Sequence, residues 1–396
     1  MNKEDLWLYK TAALLHDPPD KAWVITGKVS VPEKLRQQDS SIAAHEDRAW
    51  QLGERILKGS ALEKVISEYK TYLFSKKIKL ADGLSAGVDR QLLYSIVPEE
   101  KLHKVVKSWR FKNIFNPSLE IQAELDKSIP TENNLNDFIN DLNKILKEIK
   151  NPKYAYFTLY ALYELTWINH ELPISPSDTR MPTHLVFDHN YATATAINLF
   201  IEAQSENPEG LVIMIDIPGV QEYIAASRKL RDLRISSYLV SLIAWKTVEE
   251  FVNLYGPDIL ILPTARFNPF FYTYLLGILK KEIKDTKEFE EIFKLMKLKI
   301  NVNGKLYDIE IISEGKFPKF SVIPPTITFV LPPIQYLKKD KEFIKLMNEH
   351  GINELNKDKL KELIKRIFEK IWLKIYESVK ESENKITNEK YELIKN

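Results

Sequence analysis

The stretch LLHDPPDK, Leu14–Lys21, joins an apolar run to a histidine–aspartate pair and a sharp turn, as a metal site at the end of a helix or a polar helix terminus would. The residues before it have a helical period over 4–17, and one stripe of that helix carries Leu6, Tyr9, Ala13 and His16. We therefore expect His16 to point toward the interior. Pro18 and Pro19 then end the helix, since a residue that precedes proline is pushed out of the α region.

Composition limits the classes of protein and of site. The chain has 396 residues, too many for one compact core, so two or three domains are expected. It has no cysteine, which excludes disulfides, cysteine nucleophiles and thiolate zinc sites and leaves only histidines and carboxylates to hold a metal. The net charge of +2 gives little long-range steering, so a nucleic acid must be held by local basic patches. No signal peptide and no long apolar span is visible, which predicts a cytoplasmic protein without a membrane partner.

The pattern of the chain changes near residue 206. Helical periods dominate before it, and the polar ENPEG at 206–210 reads as a linker. The apolar runs LVIMIDI (211–217) and PDILILP (257–263) predict two buried strands with a helical segment between them. Further strand patterns follow, so we expect an α+β multidomain protein: an all-α domain over 1–205, a ferredoxin-like α+β domain over 209–335, and a helical segment over 336–396.

Two more apolar helix stripes carry a histidine, His45 and His189, and a third helix places Asp82 and Asp89 on one face. Each of the three histidines also has an acid close to it in the sequence: Asp17, Asp47 or Asp188. Buried imidazoles and carboxylates need partners, and a divalent metal would serve all of them at once. Such ligands suit Mn²⁺, Fe²⁺, Ni²⁺, Co²⁺ or Zn²⁺, and oxygen-rich open sites also take Mg²⁺; these ions activate water for attack on phosphorus.

The alternative interpretation of these histidines is structural. One histidine on an apolar helix face is usually a core residue, and the acid beside it is often a helix cap. The metal interpretation of His16 gains weight only because several such stripes fall within one helical region.

The segment SRKLRDLR, 227–234, offers a second kind of site. It carries four cations on and beyond a helix that starts from a Pro-Gly turn after a strand: Arg228, Lys229, Arg231 and Arg234. Positive groups near such a turn attract phosphate or RNA. A solvated basic face explains the segment equally well.

Five segments occur in an order that resembles a known family. They are LLHDPPDK (14–21), HEDRA (45–49), ADGLSAGVDR (81–90), PSDTRMPTHLVFDHNYATATA (176–196) and IPGVQEYIAASRKLRDLRISSYLVS (217–241). Together they resemble the large subunit of type III-B CRISPR effector complexes, the Cmr type, over about residues 5 to 335.

The resemblance implies an N-terminal HD domain, a circularly permuted HD phosphohydrolase, followed by a ferredoxin-like Palm domain. In the family, the HD domain is a metal-dependent nuclease that acts on single-stranded DNA when the complex is bound to target RNA. The ligand positions carried over from the family are His16, Asp17, His45, Asp82 and His189. His16 and Asp17 are also the implied catalytic pair, Lys21 would neutralise a substrate phosphate, and Asp89 and Asp188 would support the ligands from behind.

The sequence also departs from the family. Family members continue into a second Palm domain with Gly-Gly-Asp-Asp that makes cyclic oligoadenylate, whereas no two glycines are adjacent here. We therefore expect no cyclisation of ATP by this chain alone, and the 336–396 segment would lead toward a domain that this sequence lacks. The first Palm domain of the family contributes nucleotide contacts, which implies ATP as a ligand. Ser236 stands where the family usually has glycine, which argues against an ATP contact through that loop.

Three hypotheses follow. The first is a nuclease module that works with other Cmr-type subunits, guide RNA and target RNA on a single-stranded DNA substrate. The second is an inactive scaffold that docks guide RNA and the other subunits. The third is a free-standing HD phosphohydrolase, against which the Palm-like half argues. Convergence of the five ligands would favour the nuclease, and an outward-pointing His45 or His189 would favour the scaffold.

Overall fold

The computed structural model of the protein describes residues 2–101, 104–112, 120–202, 206–302, 305–310 and 321–395. The N-terminal part is helical and holds one short hairpin, with β1 Ser108–Lys112 antiparallel to β2 Glu120–Glu124. Its helices are α1 Lys3–Leu15, α2 Lys21–Ile25, α3 Ala44–Leu57, α4 Lys64–Ser67, α5 Lys76–Ser85, α6 Gly87–Ile96, α7 Glu132–Glu148, α8 Pro152–Asn169 and α9 Val186–Ile197.

Helix α8 forms the centre of this part. Every side chain from Ala155 to Trp167 is buried, so the helix has no solvated face and must be covered on all sides. Helices α1 and α7 pack against it, and α9 packs in turn against both α1 and α5. The helices that carry His16, Asp82 and His189 are therefore direct neighbours.

The C-terminal part adds a sheet and more helices. The strands are β3 Leu211–Asp216, β4 Leu260–Leu262, β5 Lys297–Val302, β6 Lys305–Glu310 and β7 Thr326–Leu331. The helices are α10 Val220–Ala225, α11 Leu230–Tyr255, α12 Pro269–Glu282, α13 Thr286–Leu295, α14 Ile334–Leu337, α15 Lys341–Glu349 and α16 Lys357–Lys395. A 3₁₀ turn, Pro257–Ile259, leads into β4.

The sheet has the strand order β3-β7-β4, and β7 is antiparallel to both neighbours. Strands β3 and β4 thus run parallel on either side of β7 and are joined through α10 and α11, which is a split β-α-β connection. Hairpin β5–β6 forms a separate two-stranded sheet. The mixed α+β class is confirmed. The ferredoxin-like assignment and the domain bounds remain predictions, since the sheet containing β3 has three strands among the described residues.

Several local predictions were wrong. The run at 211–217 is not buried, because Val212 and Met214 are 70% and 71% exposed on the open face of β3. Leu262, at the end of the second run, is 63% exposed. The helical period over 79–97 predicts a single helix, but α5 ends at Ser85 and α6 begins at Gly87. The helical period after Asp188 predicts Ala192 on the inward face, but Ala192 is exposed.

The helical segment after β3 is also interrupted at another place than expected. The sequence predicts a break near Arg234–Ser237, but the break lies between Ala225 and Leu230, and α11 then runs on to Tyr255. The hydroxyl of Ser236 pairs with that of Ser227 at 3.1 Å. Because this hydroxyl is engaged outside its own helix turn, it does not compete with the helix backbone.

The C-terminal helix α16 packs on α11 through its apolar stripe, in which Leu360, Leu363 and Ile367 are buried. Among the described residues, no helix is long and apolar enough to cross a membrane.

Candidate metal centre

Three side chains from α1, α5 and α9 meet at one point. His16, Asp82 and His189 each offer a ligand atom, and these atoms all lie within 4.8 Å of one another. His16 Nε2 lies 3.2 Å from His189 Nε2, and Asp82 Oδ1 lies 3.0 Å from His189 Nε2 and 3.9 Å from His16 Nε2. We call these three residues the His–Asp cluster.

The main chain sets the orientation of the His16 ring. His16 follows the last residue of α1, and its Nδ1 lies 2.7 Å from the carbonyl oxygen of Ala13. A carbonyl only accepts, so Nδ1 carries the proton and Nε2 turns its lone pair toward the cluster.

Ser85 sets the orientation of His189 in the same way. The Ser85 hydroxyl donates to the carbonyl oxygen of Asp82 at 2.9 Å and lies 3.2 Å from His189 Nδ1. With its proton on that carbonyl, the Ser85 oxygen can accept the Nδ1–H of His189. In that tautomer the Nε2 lone pair of His189 also faces the cluster. This is the arrangement in which an outer partner fixes the tautomer of a metal-ligating histidine.

The donor set fits a divalent cation. Two Nε2 lone pairs that face each other at 3.2 Å, beside a carboxylate oxygen, repel one another unless a positive charge lies between them. Imidazole and carboxylate ligands suit Mn²⁺, Co²⁺, Ni²⁺ and related ions. Residues His16, Asp82 and His189 would hold such an ion.

Asp17 extends the cluster on one side. Its Oδ2 lies 3.7 Å from His189 Nε2 and 4.0 Å from His16 Nε2. Lys21 donates to the same oxygen at 2.5 Å, while His45 Nε2 lies 3.9 Å from Oδ1. Of the five ligand positions that the resemblance implied, His16, Asp82 and His189 thus share one point, Asp17 borders it, and His45 lies beside Asp17.

Electrostatics keep these groups in forms that bind metal. Burial would raise the pKa of Asp82, but the imidazoles of His16 and His189 beside it hold that pKa well below its usual range. Burial also opposes the ionisation of Asp17, and Lys21 and the three histidines outweigh it and lower its pKa. Burial lowers the pKa of His189 and of His45, so both stay neutral.

His16 behaves differently. Burial disfavours its charged form, yet Asp82 and Asp17 outweigh burial and raise the pKa of His16. The centre of the cluster therefore attracts positive charge. A proton supplies positive charge at one nitrogen, whereas a divalent ion would supply it to all the ligands together.

The turn after His16 is fixed by residues that sequence reasoning missed. Arg48, one turn beyond His45 on α3, binds Asp20 Oδ2 through Nε at 3.0 Å and Nη2 at 2.7 Å. Asn190 on α9 donates to the carbonyl oxygen of Asp17 at 2.9 Å. These contacts are set by tertiary packing, and the only signal in the sequence was that Asn190 directly follows His189.

Asp188, which was expected behind the ligands, and Asp47, two residues after His45, contact other groups. Asp188 Oδ2 accepts the backbone N–H of Leu185 at 3.0 Å and caps α9, while its Oδ1 pairs with Arg266 at 2.5 Å. Asp47 is buried and accepts backbone N–H groups from the loop at 34–36. The side chain of Asp89 lies outside the described residues, so its predicted role stays a prediction.

A cavity of about 230 Å³ opens over the cluster, and its walls carry four cations: Lys21, Lys79, Arg90 and Arg180. Arg90 Nη2 lies 3.6 Å from Asp82 Oδ2, and Arg180 forms a bidentate pair with Asp178. Positive groups around a cavity that opens over the His–Asp cluster suit a phosphate-bearing substrate. Of these four cations, the sequence had indicated only Lys21.

The basic segment lies apart from this cavity. Arg228 and Lys229 belong to the loop between α10 and α11, and Arg231, Arg234 and Ser236 belong to the first turns of α11. The four cations are exposed. Their predicted contact with nucleotide or RNA stays a prediction.

Known proteins are similar to this chain in sequence. Residues 212–377 match the family described as CRISPR-associated protein Cmr2, N-terminal. The chain is 33% identical to the CRISPR system CMR subunit Cmr2 of Saccharolobus solfataricus over 355 residues, which are 88% of this chain and 32% of that protein. It is 25% identical to the CRISPR system Cmr subunit Cmr2 of Pyrococcus furiosus over 325 residues, 69% of this chain and 32% of that protein.

Solved structures agree with the sequence matches. The chain is similar to a chain of the type III-B Cmr-beta complex in its apo state, with a TM-score of 0.60 and 30% identity over 86% of this chain. The same complex bound to cognate target RNA gives a TM-score of 0.58 and 30% identity over 87% of this chain. In both cases the chain spans about a third of the length of the protein it matches, 32% of that chain.

Proposed function

The chain belongs to the Cmr2 family of large subunits of type III-B CRISPR complexes, and on that basis we propose that its helical part is a divalent-metal-dependent nuclease for single-stranded DNA. The observation that carries the proposal is the convergence of His16 Nε2, His189 Nε2 and Asp82 Oδ1 within 4.8 Å. Convergence of five ligands was expected to favour a nuclease, and the three that meet here support that function.

The residues of the chain have distinct roles in this proposal. His16, Asp82 and His189 would hold the ion, with Asp17 and His45 completing the ligand set. The bound ion would supply a Lewis acid that makes water a nucleophile near neutral pH and offsets charge on the phosphate. Lys21 keeps Asp17 ionised and brings an ammonium to the cavity wall, where it would neutralise a phosphate oxygen.

The partners are inferred from the relatives. One similar structure is a Cmr-beta complex bound to cognate target RNA. We infer that this chain likewise assembles with other Cmr subunits, guide RNA and target RNA. The sheet-bearing part would serve this assembly and contribute to nucleotide binding, with ATP as its ligand, and the exposed basic segment at 228–234 would contact RNA phosphates. Because the sequence has no Gly-Gly-Asp-Asp, we propose no cyclic oligoadenylate synthesis by this chain alone.

A second candidate function is a scaffold that docks guide RNA and other subunits without cutting. The observation that favours it is exposed apolar surface outside the metal centre: Val212 and Met214 on β3 are 70% and 71% exposed, and Leu230 is 82% exposed. Surfaces of this kind are typical of protein contacts. The two functions are compatible, and only the cleavage assay separates them.

The test is cleavage of labelled single-stranded DNA by the full chain, alone and assembled with the other subunits, guide RNA and target RNA. We expect cleavage with Mn²⁺, Ni²⁺, Co²⁺ or Mg²⁺ and its loss when EDTA removes the ion, because the ligands alone supply no nucleophile. Absence of cleavage with each ion in the assembled complex would reject the nuclease and leave the scaffold.

A further inference from the structure

The helix that carries His189 is held at its first turn from the sheet-bearing part of the chain. Arg266 lies in the loop between β4 and α12, and its Nη1 lies 2.5 Å from Asp188 Oδ1. The other oxygen of Asp188 accepts the N–H of Leu185 and so caps α9. The carboxylate of Asp188, one residue before His189, thus connects the start of α9 to Arg266.

Arg266 is itself held in one place. Its Nη2 lies 2.8 Å from Glu164 Oε1 and its Nε lies 3.0 Å from Glu164 Oε2, so the guanidinium binds the carboxylate through two parallel contacts. Glu164 lies on α8 and is 3% exposed. The guanidinium carbon also lies 4.5 Å from the centre of the Tyr191 ring, on the next turn of α9. Arg266 therefore ties α9 to the buried central helix.

The far end of α9 is held by the turn before β4. Thr195 donates to the carbonyl oxygen of Asp258 at 2.7 Å, and Asn198 donates to Asp258 Oδ2 at 2.9 Å. The same carboxylate oxygen accepts Lys10 Nζ from α1 at 2.7 Å. Helix α1, which His16 follows, and helix α9, which carries His189, are thus joined through Asp258 of the sheet-bearing part.

We propose that Arg266 is a positioning residue for the His–Asp cluster. By fixing the first turn of α9, Arg266 holds the His189 ring opposite His16. The sheet-bearing part of the chain, which contains Arg266, thus contributes a residue that supports the metal centre. The inference rests on the proposed metal-binding function. Metal ligands must be held to within about 0.5 Å of the productive geometry. Arg266 binds the Asp188 carboxylate, which caps α9 one residue before His189.

A purely structural role for Arg266 predicts a different result. Loss of the ion pairs would then lower stability and leave the coordination of the folded protein unchanged. The absorption of bound Co²⁺ separates the two, because the positions of its visible bands depend on ligand geometry, whereas the fraction of folded protein changes only their intensity.

The experiment is a Co²⁺ titration of the full chain, followed by its visible spectrum and by calorimetry, for the wild type and for Arg266→Met. We expect the variant to bind Co²⁺ about tenfold more weakly, at the low end of the effect of losing an outer partner of a ligand, and to show altered bands. Asp188→Asn keeps an acceptor for the N–H of Leu185 and loses the charge that binds Arg266; it carries the same test if Arg266→Met does not fold.

The matched control is Arg366→Met, the same substitution on α16. The Arg366 guanidinium binds Glu362 and the carbonyl oxygen of His350. This variant is expected to bind Co²⁺ as the wild type does. Wild-type affinity and bands in both Arg266→Met and Asp188→Asn would overturn the positioning role alone. A wild-type chain that takes up no Co²⁺ would overturn the metal-binding function itself and the positioning role with it.

Discussion

The His16→Ala/Asp17→Ala double variant is expected to lose metal-dependent DNA cleavage by at least about 100-fold, and Mn²⁺ affinity by a similar factor. Removing one outer partner of a metal ligand already costs roughly 10–100-fold. This variant removes the Nε2 that lies 3.2 Å from His189 Nε2, together with the carboxylate that lies 2.5 Å from Lys21. The measurements are cleavage rates at saturating Mn²⁺ and calorimetric Mn²⁺ binding.

A histidine–aspartate pair away from the cluster gives the matched control. His170 Nε2 lies 2.8 Å from Asp141 Oδ2, between α8 and α7. The His170→Ala/Asp141→Ala variant removes the same two side-chain types and is expected to keep both activity and Mn²⁺ binding. Equal activity in the wild type and in the His16/Asp17 variant would reject the assignment of the site.

The Asp258→Ala variant is expected to lower the free energy of unfolding by about 3–5 kcal/mol, because it leaves a buried cation unpaired. Lys10 and Asp258 have no exposed side-chain surface, and they lie 2.7 Å apart. Burial lowers the pKa of Lys10 to about 8, even though Asp258 opposes that shift. The carboxylate also accepts the Tyr156 hydroxyl at 2.7 Å, so its removal leaves more than one buried donor without a partner.

Urea unfolding followed by circular dichroism measures this effect. Adding Lys10→Met to Asp258→Ala is expected to recover much of the loss, since no charge then stays buried without a partner. Asp358→Ala provides the control, because Asp358 pairs with Lys361 at a site where its side chain is 91% exposed. A destabilisation of Asp258→Ala no larger than that of Asp358→Ala would contradict the buried-pair account.

The histidines of the His–Asp cluster were predictable as inward-facing residues because of helical periodicity. His16 and His189 fall on apolar stripes, so the period alone turned them inward, and a buried imidazole demands a partner. The same reasoning placed Asp82 and Asp89 together on one helix, and the family resemblance then singled out Asp82 as a ligand. These are local properties of single helices, and the packing of α9 on α1 and α5 then brings the residues together.

Sequence adjacency was a weaker guide. Asp188 stands next to His189, but successive residues on a helix are about 100° apart, and its carboxylate turns to Leu185 and Arg266 instead. The role of Arg266 was not predictable, because it reaches α8 and α9 from 102 and 78 residues away. The exposure of Val212 was missed for a related reason: an apolar run on a strand does not tell which of its two faces another element will cover.

Diffraction from crystals of the full chain soaked in Mn²⁺, recorded at the manganese absorption edge, shows whether the His–Asp cluster holds a metal ion. We predict an anomalous peak within bonding distance of His16 Nε2, His189 Nε2 and the Asp82 carboxylate, with Asp17 beside it. Manganese that binds only at other residues, with the His–Asp cluster free of any peak at saturating Mn²⁺, would contradict the assignment of these residues as a metal centre.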